Sequence, residues 1–292
     1  MPAMTLTDLV AQISAGFGAY ASGAATVAGS TTTLIDSTNR IEPDSTHVNR
    51  YVRFTSGANA GQERLVTAFV RSSATVTLAP ALANATAQSD SYEISPLRKQ
   101  MVVDAIERAV RRAGRKWMVV KLDESGSFSP TAQDYDLPPD CVAVLNVWIN
   151  MQLSGGTISE WAPWTRFDVQ GPIGARVLSM RGWAADMNIP SNYTYQRKLE
   201  YLAMPTIPAA SGDTLGFDEQ AEREMVEFVT EYALYLLHQQ SMATNRTGDD
   251  ARVHNTLMQQ HMQQAMQIEQ GRKMERPSAR QMRTWRPGRQ RA

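Results

Sequence analysis

Two periodicities alternate along the chain. Residues 4–15 place Leu6, Leu9, Val10 and Ile13 at three- and four-residue spacing, which predicts a short amphipathic helix capped by Thr5 or Thr7. So short a helix persists only if its apolar face packs against something else. From about 31 to 95 the period falls to two. TTTLIDS, RYVRFTS, ERLVTAFV, ATVTLAP and DSYEIS are β-branched runs separated by turn residues. Alternation is clearest in Arg64-Leu65-Val66-Thr67 and Thr75-Val76-Thr77-Leu78, and Gly57 and Gly61 of SGANAG can supply the positive φ of a hairpin turn. These strands predict a small barrel or sandwich.

The helical period returns at PLRKQMVVDAIERAVRRAG. Pro96 suits the first turn, Gly114 suits the C-cap, and Leu97, Met101, Val102, Ala105, Ala109 and Ala113 form an apolar stripe. The opposite face carries Arg98, Lys99, Arg108, Arg111, Arg112, Arg115 and Lys116, a solvated or partner-facing surface that could meet the acidic helix at Glu219–Glu231. Residues of about 118–205 read as a second β-rich region, with strands at Val142–Asn150, ARVLSM and NYTYQRKLEYLAMP. A helical pair follows. Ala221, Met225, Phe228, Val229, Tyr232 and Leu236 line the first helix behind an Asp218 N-cap, and a Met- and Gln-rich second helix runs from Asp249 to about Gln270.

Charge changes the picture at the end of the chain. Lys+Arg and Asp+Glu both total 29, yet residues 272–292 hold eight cations against Glu275 alone, a net of +7 that leaves −7 on residues 1–271. Such asymmetry marks an interaction tail. Its arginines, with Met274, Met282 and Trp285, offer bidentate ion pairs and apolar anchors, and Pro277 and Pro287 oppose helix, so ordering on binding is expected. The single cysteine, Cys141, excludes an intrachain disulfide and a thiolate zinc cage. No cationic n-region opens the sequence and no apolar run reaches the roughly 20 residues of a membrane span, so neither signal peptide nor membrane helix is expected. His254 and His261 are seven apart on one helix, too far for one metal, and with His47 and His238 they read as surface or packing residues. There is no P-loop, no GxSxG and no Cys/His pair, so no catalytic, cofactor or metal site is expected.

Two stretches resemble a known family. YDLPPDCVAVLNVWIN, starting at Tyr135, resembles the Tyr-x-Leu-Pro-x-Asp segment and following strand of the head-to-tail adaptors of short-tailed phages. RYVRFTSGANAGQERLVTAFV, starting at Arg50, resembles a small β module of phage neck and tail proteins. The resemblance implies an α+β fold: a helical bundle core with a β-rich region, an inserted small β-barrel or sandwich module, and an extended C-terminal arm. It divides the chain into an N-terminal helix (1–17), the β module (18–96), an adaptor core (97–271) and the basic arm (272–292). It implies a non-enzymatic virion protein made in the host cytoplasm and placed in the neck, as a homo-oligomeric ring of about twelve copies. The partners so implied are the portal protein, tail or other neck proteins and, in passing, packaged DNA, with no membrane. The arm residues Arg272, Lys273, Arg276, Arg280, Arg283, Trp285, Arg286, Arg289 and Arg291 would dock on the portal. Arg108, Arg111, Arg112, Arg115, Glu222, Glu227 and Glu231 would face a neighbouring subunit or the DNA channel. Two other readings stand beside this one. The arm could bind nucleic acid with steep salt dependence, or Trp161, Trp164 and Trp183, near Glu160, Asp168 and Asp186, could bind a glycan.

Overall fold

The structure is a computed structural model that describes residues 4–18, 20–114, 117–129, 131–150, 161–180, 195–210, 212–213, 219–244 and 249–271. The chain divides into two compact units, one from residues up to 112 together with 207–271, the other from 113–206.

In the first unit, helix α1 (Leu6–Phe17) begins with a capping box. The Thr5 side chain accepts from the Asp8 amide and Asp8 accepts from the Thr5 amide, so two otherwise orphaned donors are satisfied. Leu6, Leu9, Val10 and Ile13 are buried, as their spacing predicts. Six strands follow: β1 (Ala21–Ala24), β2 (Thr33–Ile35), β3 (Tyr51–Phe54), β4 (Glu63–Val70), β5 (Thr75–Ala79) and β6 (Ser91–Ser95). They form one antiparallel sheet in the order β1-β6-β3-β4-β5-β2. Val27, just past β1, bridges to Ile35 of β2, so the sheet curls its two edges towards each other. Leu34, Val52, Phe54, Val66, Phe69, Val76, Leu78, Tyr92 and Ile94 fill the concave side.

The SGANAG turn joins β3 to β4 with both glycines at positive φ, Gly57 at 76° and Gly61 at 83°. Its Asn59 is fully buried. Asn59 Nδ2 donates to the Asn84 carbonyl at 3.0 Å, and Asn59 Oδ1 accepts from the Asn84 amide at 3.1 Å and from Gln62 at 3.0 Å. The motif therefore ties two loops of the sheet together. Helix α2 (Lys99–Ala113) starts where Glu63 of β4 accepts from the Lys99 amide at 2.8 Å, and buries Val102, Ala105, Ile106, Ala109 and Val110. Helices α3 (Glu219–Thr244) and α4 (Asp249–Gly271) pair as a hairpin, and α1 packs on α3 with Gly16 against Leu234.

The second unit is built from strands. β7 (Val119–Asp123), β8 (Ser127–Phe128), β10 (Cys141–Asn150), β11 (Trp161–Trp164) and β14 (Tyr195–Ala203) form a five-stranded sheet in the order β11-β10-β14-β7, with β8 also on β14. β9 (Asp134–Asp136), β12 (Asp168–Gln170) and β13 (Val177–Ser179) form a three-stranded sheet. Strict alternation along β14 turns Tyr195, Leu199, Tyr201 and Ala203 inward, where Phe128, Leu137, Cys141, Val144, Val147, Ile149, Leu178 and Met180 complete the core. YDLPPDC is a folding element of this core. Leu137 and Cys141 enter it, the Tyr135 hydroxyl donates to the Ser129 carbonyl at 2.7 Å, and Asp140 receives Lys121 at 2.6 Å.

Two parts of the expected fold class are corrected here. The chain is β-rich: the described residues hold four helices and many antiparallel strands, and no helical bundle core. A bundle requires every helix to bury a stripe, whereas in α4 Ala265 alone is buried among the described side chains, with Val253 and Met266 exposed. The module expected as a small barrel or sandwich is a curled single sheet, a half-barrel. The extended C-terminal arm falls on 272–292, outside the described residues.

Candidate functional site

Of the predicted interface residues that the structure describes, Arg112 and Glu231 reach other helices of the first unit, whereas Arg108, Arg111 and Glu227 are exposed. Arg108, Arg111 and Arg112 lie in the last two turns of α2 but have different surroundings. Arg108 is exposed. Arg111, 65% exposed at its side chain, donates to Glu107 one turn back, with Nη2 at 2.6 Å. Arg112 turns inward. Its Nη1 donates to the Tyr232 hydroxyl of α3 at 3.3 Å and its Nη2 to Glu269 of α4 at 3.2 Å, and the guanidinium lies 4.7 Å from the Tyr232 ring centre. Burial alone would lower the Arg112 pKa, but Glu269 and Tyr232 outweigh it and raise it. The guanidinium thus clamps three helices. Arg115 and the side chain of Glu222 lie outside the described residues.

On α3, Glu227 pairs with Arg223 at 3.3 Å on the exposed side, and Glu231 lies 2.7 Å from His261 Nδ1 of α4. Both carboxylates, with Gln12, Thr230, Gln264, Gln267 and Ile268, line a cavity of about 260 Å³ between α1, α3 and α4. Thr230 Oγ1 is buried there without a hydrogen-bond partner among the described residues. Beside it His238, His254 and His261 come together with Phe17 of α1. The seven-residue spacing of His254 and His261 is two helical turns, which points both rings at α3, but the sequence does not show that His238 meets them. Among the described residues no group of histidine, cysteine, aspartate or glutamate side chains is arranged to hold a metal.

The remaining candidates are distributed elsewhere. Cys141 is buried, and burial, reinforced by Asp140 and opposed by Arg176, pushes its thiol up to about 11, so it stays protonated and inert. Trp161 and Trp164 lie on β11, where Trp164 packs against the sheet core and Lys198 sits 5.5 Å from the Trp161 ring. Asp168 is on β12. Trp183, Glu160, Asp186 and the arm residues from Arg272 to Arg291 lie outside the described residues.

No described helix is long and apolar enough to cross a membrane. Compared with curated proteins and with solved structures, the chain matches none. A family model described as SU10 adaptor protein matches residues 78–291, from the end of the half-barrel through both hairpin helices to the basic tail. The match covers well over half of the sequence and includes YDLPPDC, the Arg112 clamp and the helical hairpin. The chain therefore belongs to the SU10 adaptor protein family, structural adaptors of phage particles that contact other head or tail proteins.

Proposed function

We propose that this protein is a head-to-tail adaptor that joins the portal to the neck or tail as a homo-oligomeric ring through which DNA passes. The observation that carries the reading is the family match, which takes in the helical hairpin and the cationic tail in one stretch. Charge supports the division of labour. A segment of net +7 follows directly on a body of net −7, and arginine spaced by proline and tryptophan suits docking on an acidic protein surface. In this reading Arg272–Ala292 reaches the portal with Trp285 in a pocket. The exposed Arg108 and Arg111 of α2 and the acidic face of α3 meet across the subunit interface. The half-barrel stands as a module on each subunit.

The test is deletion of 272–292 followed by co-sedimentation with purified portal. Portal binding should fall at least tenfold while the truncated protein keeps its own fold by circular dichroism. Unchanged portal binding sinks the assignment of the arm. Loss of binding to DNA alone, with portal binding intact, would favour the nucleic-acid reading of the same cations.

A further inference from the structure

Three imidazoles from two helices form one contiguous stack. Phe17 of α1 lies on His238 at 4.5 Å between ring centres and on His254 at 5.6 Å. His238 and His261 are parallel at 5.4 Å. His238 Nδ1 and His254 Nδ1 are 2.9 Å apart, hydrogen-bonding distance. A bond between two ring nitrogens of the same kind needs one to donate and the other to be bare, so at least one ring must be neutral. His238 is fully enclosed, and its Nε2 has no partner among the described residues. The arrangement that strands no buried N–H puts the His238 proton on Nδ1 and leaves His254 Nδ1 as acceptor.

The groups facing the stack define how acid acts on it. α3 contributes Glu231, 2.7 Å from His261 Nδ1. α4 contributes His254 and His261 themselves. α1 contributes the uncharged Phe17 ring, its carboxylate Asp8 being held by Thr5. The α2 cation Arg112 is engaged by Tyr232 and Glu269. Glu231 is thus taken by His261, and a proton added to His238 meets no carboxylate of its own among the described residues.

We propose that the His238–His254–His261 stack is an acid-released latch that holds α4 to α3: with Nδ1–H already bonded to His254, a second proton on His238 falls on its buried Nε2, which has no acceptor among the described residues, and the charge so enclosed parts the helices. The basic segment begins at Arg272, immediately after α4 ends at Gly271, so the same step loosens the root of that segment.

The direction of the pH effect follows from His238. Burial first, then His261 and His254, holds its pKa down to about 4 against an ordinary 6.5. A depressed histidine pKa means that the closed hairpin has its full stability above pH 6.5 and loses it as the pH falls towards about 4. For this one group, the opening equilibrium should rise about 30-fold between about pH 8 and about pH 5. Hydrogen exchange of the α4 amides in the full-length protein, corrected for intrinsic rates, reads that change. The expected result is a rise of about 30-fold in the native protein and of less than about threefold in His238→Gln. A pH-independent rate in the native protein, or an equal rise in His238→Gln, overturns the latch. If His238→Gln does not fold, the His238 ring titration by NMR in the native protein decides: a midpoint well below 6.5 supports the latch, and one at 6.5 removes it.

Discussion

The half-barrel and the helical junction both bury polar side chains, and they satisfy them to different degrees: in the half-barrel even Glu42 Oε2 and His47 Nε2, which make no hydrogen bond among the described residues, lie 3.3 Å from each other. In the half-barrel Asp36 is fully buried and accepts from the Tyr92 hydroxyl at 2.6 Å, the Asn39 side chain at 2.9 Å and the amides of Thr38 and Asn39. Arg40, 3% exposed, donates to the Tyr92 hydroxyl, Glu42 and the Ser22 carbonyl. Asn59 is similarly enclosed by partners. In the junction, by contrast, His238 Nε2, Thr230 Oγ1 and Arg112 Nε are buried without a partner among the described residues. A buried polar group that is fully bonded fixes one conformation, and one left unpaired costs roughly 1–3 kcal/mol. The contrast separates a region built to be rigid from one held with less to spare, where a change of protonation or partner can act.

The largest expected effect breaks the rigid side. Asp36→Ala leaves the Tyr92 hydroxyl, the Asn39 side chain and two amides without their acceptor, and should destabilise the protein by about 3 kcal/mol in chemical denaturation. A loss below about 1 kcal/mol would show that the network does not fasten the half-barrel. The pH behaviour sharpens the comparison. Burial raises the Asp36 pKa, but the bonds from Tyr92, Asn39 and Thr38 outweigh it and bring it below 3.8. Its stabilisation is therefore present above about pH 3.8 and lost as pH falls further, so the Asp36 network keeps its contribution across the range in which His238 destabilises the hairpin.

The next effect should have the opposite sign. Thr230→Val replaces an unpartnered hydroxyl by a methyl group of similar size on the wall of the α1/α3/α4 cavity. Removing a buried polar atom that has no bond to lose should stabilise by about 1 kcal/mol, read as a raised denaturation midpoint. A destabilisation of that size would mean that the hydroxyl has a partner in solution, and the junction would then be as well satisfied as the half-barrel.

Much of this was legible in the sequence, and the gaps have physical causes. Period-two alternation locates β2 to β6, and the helical period locates all four helices. β1 is hidden because Ala21-Ser-Gly-Ala has little strand propensity, yet its glycine is needed: a Cβ on Gly23 would lie 2.5 Å from Asp36 Oδ2 and 2.8 Å from the Tyr92 hydroxyl oxygen. β7 to β9, β11 and β12 are two to five residues long, and register with distant strands defines them, as in Tyr201 opposite Lys121. The helices were legible but their role was not, because a face of Met and Gln reads as a seam whether or not it is buried. The His238 stack depends on residues 17, 238, 254 and 261 meeting in space, and no local pattern encodes that.

The smallest expected effect is the most useful for the adaptor reading. Arg111 is exposed and its ion pair with Glu107 joins neighbouring turns of one helix, a type that contributes at most about 0.5 kcal/mol. Arg111→Ala should therefore leave the denaturation curve almost unchanged. Arg112→Ala would be ambiguous, since that side chain clamps α2 to α3 and α4 and its loss alters the subunit itself. If Arg111 faces a neighbouring subunit, the variant should weaken ring formation in analytical ultracentrifugation while its fold stays intact. If the rings form as before, the exposed edge of α2 is a solvated surface, and the subunit contact must be sought on the acidic face of α3.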